Sequence, residues 1–106
     1  MATKPADTPR PTTTYILGKH WRVTYHKSPM ALSNHGECDE GKCQIFLAEQ
    51  ESDIQSLKET LLHEILHAMS KFLGMGLEEN QVLPLGAAWY AWHRENADIV
   101  AWVLED

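Results

Sequence analysis

Two hydrophobic rhythms divide this chain. In the first half apolar and polar residues alternate, and from about residue 52 onward apolar positions recur every three or four. Alternation is the signature of a half-buried strand, and the longer period that of an amphipathic helix. Over residues 15–26 (YILGKHWRVTYH), Trp21, Val23 and Tyr25 share one face while His20, Arg22 and Thr24 share the other. This predicts a strand, with Gly18 marking a bend or bulge. Residues 27–36 (KSPMALSNHG) read as a loop because of Pro29 and the Ser-Asn-His-Gly turn signal. Residues 43–48 (CQIFLA) predict a further strand, paired antiparallel to a short one ending near Cys38 across a turn at Asp39-Glu40-Gly41-Lys42. A sheet of about three short strands needs an apolar partner.

The following segment supplies it. Ile54, Leu57, Leu61, Ile65, Met69 and Phe72 form one stripe, widened by Leu62, Leu66 and Leu73. A helix from Ser52 to Phe72 is expected. Ser52 and Gln55 offer a capping box, Asp53 is an alternative cap, and Gly74 and Gly76 stop the helix. So broad a stripe places the helix between the sheet and later helices. A second helix is expected over roughly Glu78–Arg94, buried through Val82, Leu83, Leu85, Trp89 and Trp92. Pro84 falls inside it, and would sit more comfortably if regular helix began at Leu83 with Glu79 in a preceding turn. Asn96 can cap a final short helix whose Trp102, Val103 and Leu104 would close the core. The fold class is α+β: a small antiparallel sheet packed on a central helix, with one or two C-terminal helices.

Length and charge narrow the function. The 106 residues fit one domain, and a 43% hydrophobic content with four tryptophans suffices for a modest core. Residues 1–14 (MATKPADTPRPTTT) read as a disordered lead without the apolar region of a signal peptide, which leaves 15–106 as the domain. Fifteen acidic against nine basic residues give a net charge of −6, with no basic stripe, which argues against nucleic-acid binding. No stretch approaches a membrane span, so a cytoplasmic protein is expected. Cys38 and Cys43 are too few for a disulfide scaffold or a four-thiolate zinc site, and free thiols are expected.

The chemistry lies in His63-Glu64-Ile65-Leu66-His67. Residues four apart share a helical face, so His63 and His67 can offer two imidazoles to one metal ion. Both point away from the apolar stripe, and Thr60, one turn earlier, is placed to donate a hydrogen bond near the site. Zinc suits two imidazoles plus a carboxylate with one position left for water, and Glu64 can then handle that water's proton. The helix itself offers no third ligand downstream. Glu78 and Glu79, 11 and 12 residues beyond His67 and past the glycine turn, are the candidates, with Glu79 preferred. His26 and His35 are candidate donors to a developing oxyanion, whereas Tyr90 and His93 lie too far along their helix. Trp89, Trp92 and Trp102 fall on apolar stripes and read as core.

The segment TLLHEILHAM resembles the active-site helix of small zincin-like proteins of phages and prophages, and more distantly the metallopeptidase domains of phage-immunity and stress-response regulators. The resemblance extends over roughly residues 15–104 through GKHWRVTY, GECDEGKCQIFL, EENQVLPL and RENADIV. It implies a minimal zincin-like fold, Zn2+ held by His63, His67 and Glu79, and Glu64 as the catalytic base. The implied partner is a peptide or protein substrate, or one specific protein, in a bacterial host's cytoplasm. Pro84 and the cysteine pair depart from the family pattern. A catalytically silent, zinc-stabilised interaction module is the alternative.

Overall fold

A computed structural model describes residues 9–27, 36–49 and 53–106. Four strands, β1 (Thr13–Ile16), β2 (Lys19–His26), β3 (Gly36–Asp39) and β4 (Gln44–Ala48), precede three helices. These are α1 (Ile54–Leu73), α2 (Glu79–Glu95) and α3 (Ala97–Val103). The result is a small α+β domain with a four-stranded sheet ordered β1-β2-β4-β3.

The sheet differs from the expected antiparallel, three-stranded one in two ways. What read as one strand with a bend at Gly18 is a hairpin: Ile16 pairs with Lys19, and Leu17 (φ 51°) and Gly18 (φ 84°) form the two-residue turn. Two successive positive φ values match the twist of adjoining strands, which is why such turns favour tight hairpins. Secondly, β2 and β4 are parallel, with Val23 opposite Ile45 and Tyr25 opposite Leu47. After β2 the chain skips one strand position, runs back as the edge strand β3, and returns as β4 into the gap. Alternation records which face is buried but not which direction the neighbouring strand runs. The turn at Asp39–Lys42 is as expected, β3 pairing antiparallel with β4 from Gly36–Leu47 to Asp39–Gln44.

Residues before Tyr15 already take part in the sheet. Thr13 pairs with Arg22, Val23 N–H donates to the Thr12 carbonyl (2.8 Å), and the Tyr25 hydroxyl donates to the Pro11 carbonyl (2.7 Å). Arg10 pairs with Glu49. Residues 1–8, most of the 27–36 loop and Ser52 lie outside the described residues.

One sheet face and α1 enclose the core. Ile16, Trp21, Ile45 and Leu47 are fully buried, Val23 and Leu57 nearly so, and Leu61, Ile65 and Met69 pack against them. Ile54, Phe72 and Leu73, at the ends of the expected stripe, are exposed. Asp53 caps α1 by accepting from Ser56 N–H at 2.8 Å, and Gly74 ends it in the left-handed conformation (φ 65°). On α2, Val82 and Gly86 are the buried residues, whereas Leu83, Leu85 and Trp92 are exposed. Pro84 stands inside α2, which starts at Glu79 and not at Leu83. It lies just beyond the first turn, so only one interior hydrogen bond is forfeited. Nor do Trp102, Val103 and Leu104 close the core: α3 buries no residue and these three are 62–76% exposed. An apolar stripe marks a face fit for packing, and here no described element buries it. Asn96 does not cap α3 through its side chain; its amide donates to the Trp92 carbonyl at 2.9 Å.

Candidate metal centre

The site forms where α1 crosses α2. Helical periodicity puts His63 and His67 one turn apart on the side of α1 that faces α2, their ring centroids 4.8 Å apart. The facing surface of α2 is made flat by Gly86. A Cβ built there would sit 3.4 Å from His63 Cα, so the two helices meet at backbone distance. That approach carries the first turn of α2 over the imidazoles.

The connection between the helices is held from within. Buried Ser70 accepts a hydrogen bond from Leu77 N–H through its hydroxyl (2.9 Å), and Met75 N–H donates to the Ser70 carbonyl (2.9 Å). Gly76 supplies a positive φ of 68°. Glu78 then serves as the N-cap residue of α2, its N–H donating to Gln81 Oε1 at 2.8 Å. One residue later Glu79 turns inward. The choice between Glu78 and Glu79 is thus made by the cap: a residue at N-cap turns to the helix end, and the next one faces α1.

His63 Nε2, His67 Nε2 and a Glu79 carboxylate oxygen converge. Glu79 Oε1 lies 2.6 Å from His63 Nε2 and 3.2 Å from His67 Nε2, and the two ring nitrogens are 3.2 Å apart. Ligands around a tetrahedral ion with zinc–nitrogen bonds near 2.05 Å are separated by about 3.3 Å. Two of the three edges match. The third is contracted to hydrogen-bond length, and Glu79, 65% exposed, is free to rotate outward and lengthen it. Two nitrogens facing each other need either a shared proton or a cation between their lone pairs. Among the described residues His63, His67 and Glu79 form a cluster able to hold a metal ion.

Glu64 lies between the histidines in sequence but turns toward the sheet. It is only 6% exposed, and its Oε2 would be 3.2 Å from a Cβ at Gly36, the first residue of β3. Gly36 leaves that space open. Burial, and then the negative charges of Glu79, Glu37 and Glu40, push its carboxyl up to about 7. It lines a cleft of about 720 Å³ together with His67, Glu79, Glu37 and Glu40.

The remaining candidates do not reach this place. Thr60 donates to the Ser56 carbonyl (2.8 Å), closing its own helical turn, and is not bonded to His63. His26 stacks on Phe46, and His35 lies outside the described residues. Nδ1 of His93 contacts the Trp89 carbonyl at 2.8 Å. Trp89 is half-buried on α2, whereas Trp92 and Trp102 are exposed and so are not core. Cys38 and Cys43 are free thiols. Cys38 lines the cleft, where burial and its hydrogen bond to Glu40 push its thiol well above the usual range, and it is not part of the His63–His67–Glu79 cluster.

Three residues that matter here were not singled out in the sequence. Gly86 is the clearest: Glu79, Val82 and Gly86 follow one another at three and four, a stripe in which the glycine marks a close helix approach. Ser70 continues the His63–His67 face by three residues. Gly36 reads from the sequence as the end of a turn signal.

No helix among the described residues is long and apolar enough to cross a membrane. Comparison with protein-family models, with curated proteins and with solved structures found no match.

Proposed function

We propose that this protein is a zinc-dependent metallopeptidase of the minimal zincin type, the family that TLLHEILHAM resembles. The observation that carries the reading is the convergence of His63 Nε2, His67 Nε2 and a Glu79 oxygen within 4.8 Å of one another, beside a buried carboxylate on the same helix. His63, His67 and Glu79 would hold the ion. Bound there, zinc supplies Lewis acidity, polarising a carbonyl and making water a stronger acid.

Glu64 does the proton work. Its carboxylate takes a proton from the attacking water and passes it to the nitrogen of the leaving amine, so one group serves as base and then as acid. Burial against Gly36 keeps that carboxylate largely out of bulk water. The cleft beside it is large enough for a few residues of an extended peptide. Net charge −6 and the lack of a basic stripe support a peptide over a nucleic acid as substrate.

The test pairs metal content with turnover. Wild type and Glu64→Gln are loaded with zinc, assayed for stoichiometry, and incubated with a proteome-derived peptide library read by mass spectrometry. The expected result is about one zinc per chain in both, with new peptide termini from wild type alone. Equal cleavage by the Glu64→Gln variant would overturn the assigned mechanism, and loss of zinc in that variant would show Glu64 to be a ligand instead.

A further inference from the structure

A largely apolar stripe runs along α2 and α3 on a side that no described element buries. Leu85, Trp92 and Ile99 stand seven residues apart, and Ala88, Glu95 and Trp102 form a second series three residues further on. The steps alternate between three and four across the break at Asn96, which is the period of a seam between two helices. All six residues are exposed, Leu85 and Trp92 to 46% and 43% and Trp102 to 72%. This is not the packing face of α2. Val82 and Gly86, its buried residues, lie about a quarter turn away, toward α1.

Area and charge say what covers the stripe. Together with Val103 and Leu104, its large apolar side chains expose roughly 700–800 Å². The largest apolar patch of a typical monomer is about 300–600 Å², whereas a stable interface takes about 800 Å² from each partner. Seven residues are too few for a helix stable by propensity alone, and α3 buries none of its own. From Asn80 to Leu104 the only charged residues are Arg94, Glu95 and Asp98, so this stretch carries −1 of the chain's −6. Two copies can meet here without bringing most of their negative charge together.

We infer that α2 and α3 form the interface of a two-fold homodimer, the seam of one copy lying antiparallel on the same seam of a second. A two-fold axis sets one patch against itself, so no further surface is needed. With the axis between His93 and Arg94, Leu85 meets Trp102 of the partner subunit. Ala88 leaves room for Ile99 of the partner subunit, and Trp92 covers Glu95 of the partner subunit. A parallel pairing would instead set the two Glu95 carboxylates against each other and is disfavoured. Glu95, the one charged residue in the seam, limits how tightly the two copies hold.

Analytical ultracentrifugation of the full chain over roughly 1–200 µM tests this. Wild type is expected to pass from the 12.1 kDa chain to twice that mass, with a midpoint near about 10 µM. Trp102→Glu and Leu85→Lys, both at exposed positions, should keep the helical circular dichroism of wild type and each stay monomeric. Their equimolar mixture should dimerise, because the antiparallel seam sets the lysine of one against the glutamate of the other. Glu95→Leu should tighten the dimer by about tenfold. Leu83→Glu, at a site 62% exposed but about 200° around α2 from Leu85, should leave it unchanged. A wild type that stays monomeric throughout the range would mean that the seam takes some other partner, and overturns the inference. So does a dimer that survives Trp102→Glu or is lost equally in Leu83→Glu, and so does a mixture that stays monomeric.

Discussion

Replacing Gly36 by alanine tests the contact on which the site is built. A Cβ there would lie 2.8 Å from Thr60 Cγ2 and 3.2 Å from both Glu64 Oε2 and Leu47 Cδ2. Ordinary carbon contacts need about 3.5–4.0 Å, so β3 and α1 must part by roughly 0.7 Å or more. Overpacking of this kind costs about 1–3 kcal/mol, offset by about 0.4–1 kcal/mol because alanine restricts the unfolded chain. A net loss of about 1–2 kcal/mol should lower the thermal midpoint by roughly 5–15 °C in a domain of this size. Thr60→Ser removes the offending methyl and keeps the hydroxyl that bonds the Ser56 carbonyl, at a cost of about 0.8 kcal/mol by itself. In the double variant the two losses should not add, with a favourable coupling of about 1 kcal/mol. Thermal and urea unfolding of the four proteins measure this. The alanine variant should also hold zinc while turning over more slowly, because Glu64 is displaced and the ligands are not. Strict additivity, or an alanine variant as stable as wild type, would refute the packing of β3 against Thr60 and Glu64.

Three further outcomes follow from other parts of the fold. Leu17 stands at φ 51° in the β1–β2 turn and is 56% exposed; Leu17→Asn should raise stability by about 0.5–1 kcal/mol in thermal unfolding, since asparagine suits that conformation. Gly86→Val should drive α2 from His63 and weaken zinc binding in a competitive chelator titration by tenfold or more, a loss of about 1.4 kcal/mol. Gly86→Ala should be tolerated, its contact of 3.4 Å being near the ordinary range. Asp53 is held below its ordinary value by the hydrogen bond from Ser56 N–H. Its folded value lies below its unfolded one, so its contribution is complete above the unfolded value of 3.8 and lost as pH falls through the folded value. Midpoints of wild type and Asp53→Asn should therefore differ at neutral pH and converge in acid.

The centre of this molecule was more legible in its sequence than the periphery. Two histidines four apart within an apolar-periodic run define a face. The glycines that follow define a return, and together these bring Glu79 within reach of the imidazoles. Alternation does not convey strand direction, so it leaves the parallel β2–β4 pair unspecified; and a glycine between apolar residues signals a bulge or a hairpin equally, so β1 and β2 read as one strand. The apolar residues of α3 read as core because a sequence shows what a residue prefers and not whether a partner is present. The position of Glu64 in the pentapeptide suggests a group beside the metal. Its burial against Gly36 depends on a contact between residues 28 apart, which no local pattern contains.

Zinc K-edge absorption on protein loaded with one equivalent of zinc tests the ligand set most directly. Two imidazole nitrogens and oxygen ligands at about 2.0–2.1 Å, with one imidazole lost in each of His63→Ala and His67→Ala, are the result expected. A sulfur ligand near 2.3 Å, which only a cysteine such as Cys38 or Cys43 or a methionine can supply, would contradict it, as would two imidazoles retained after either substitution.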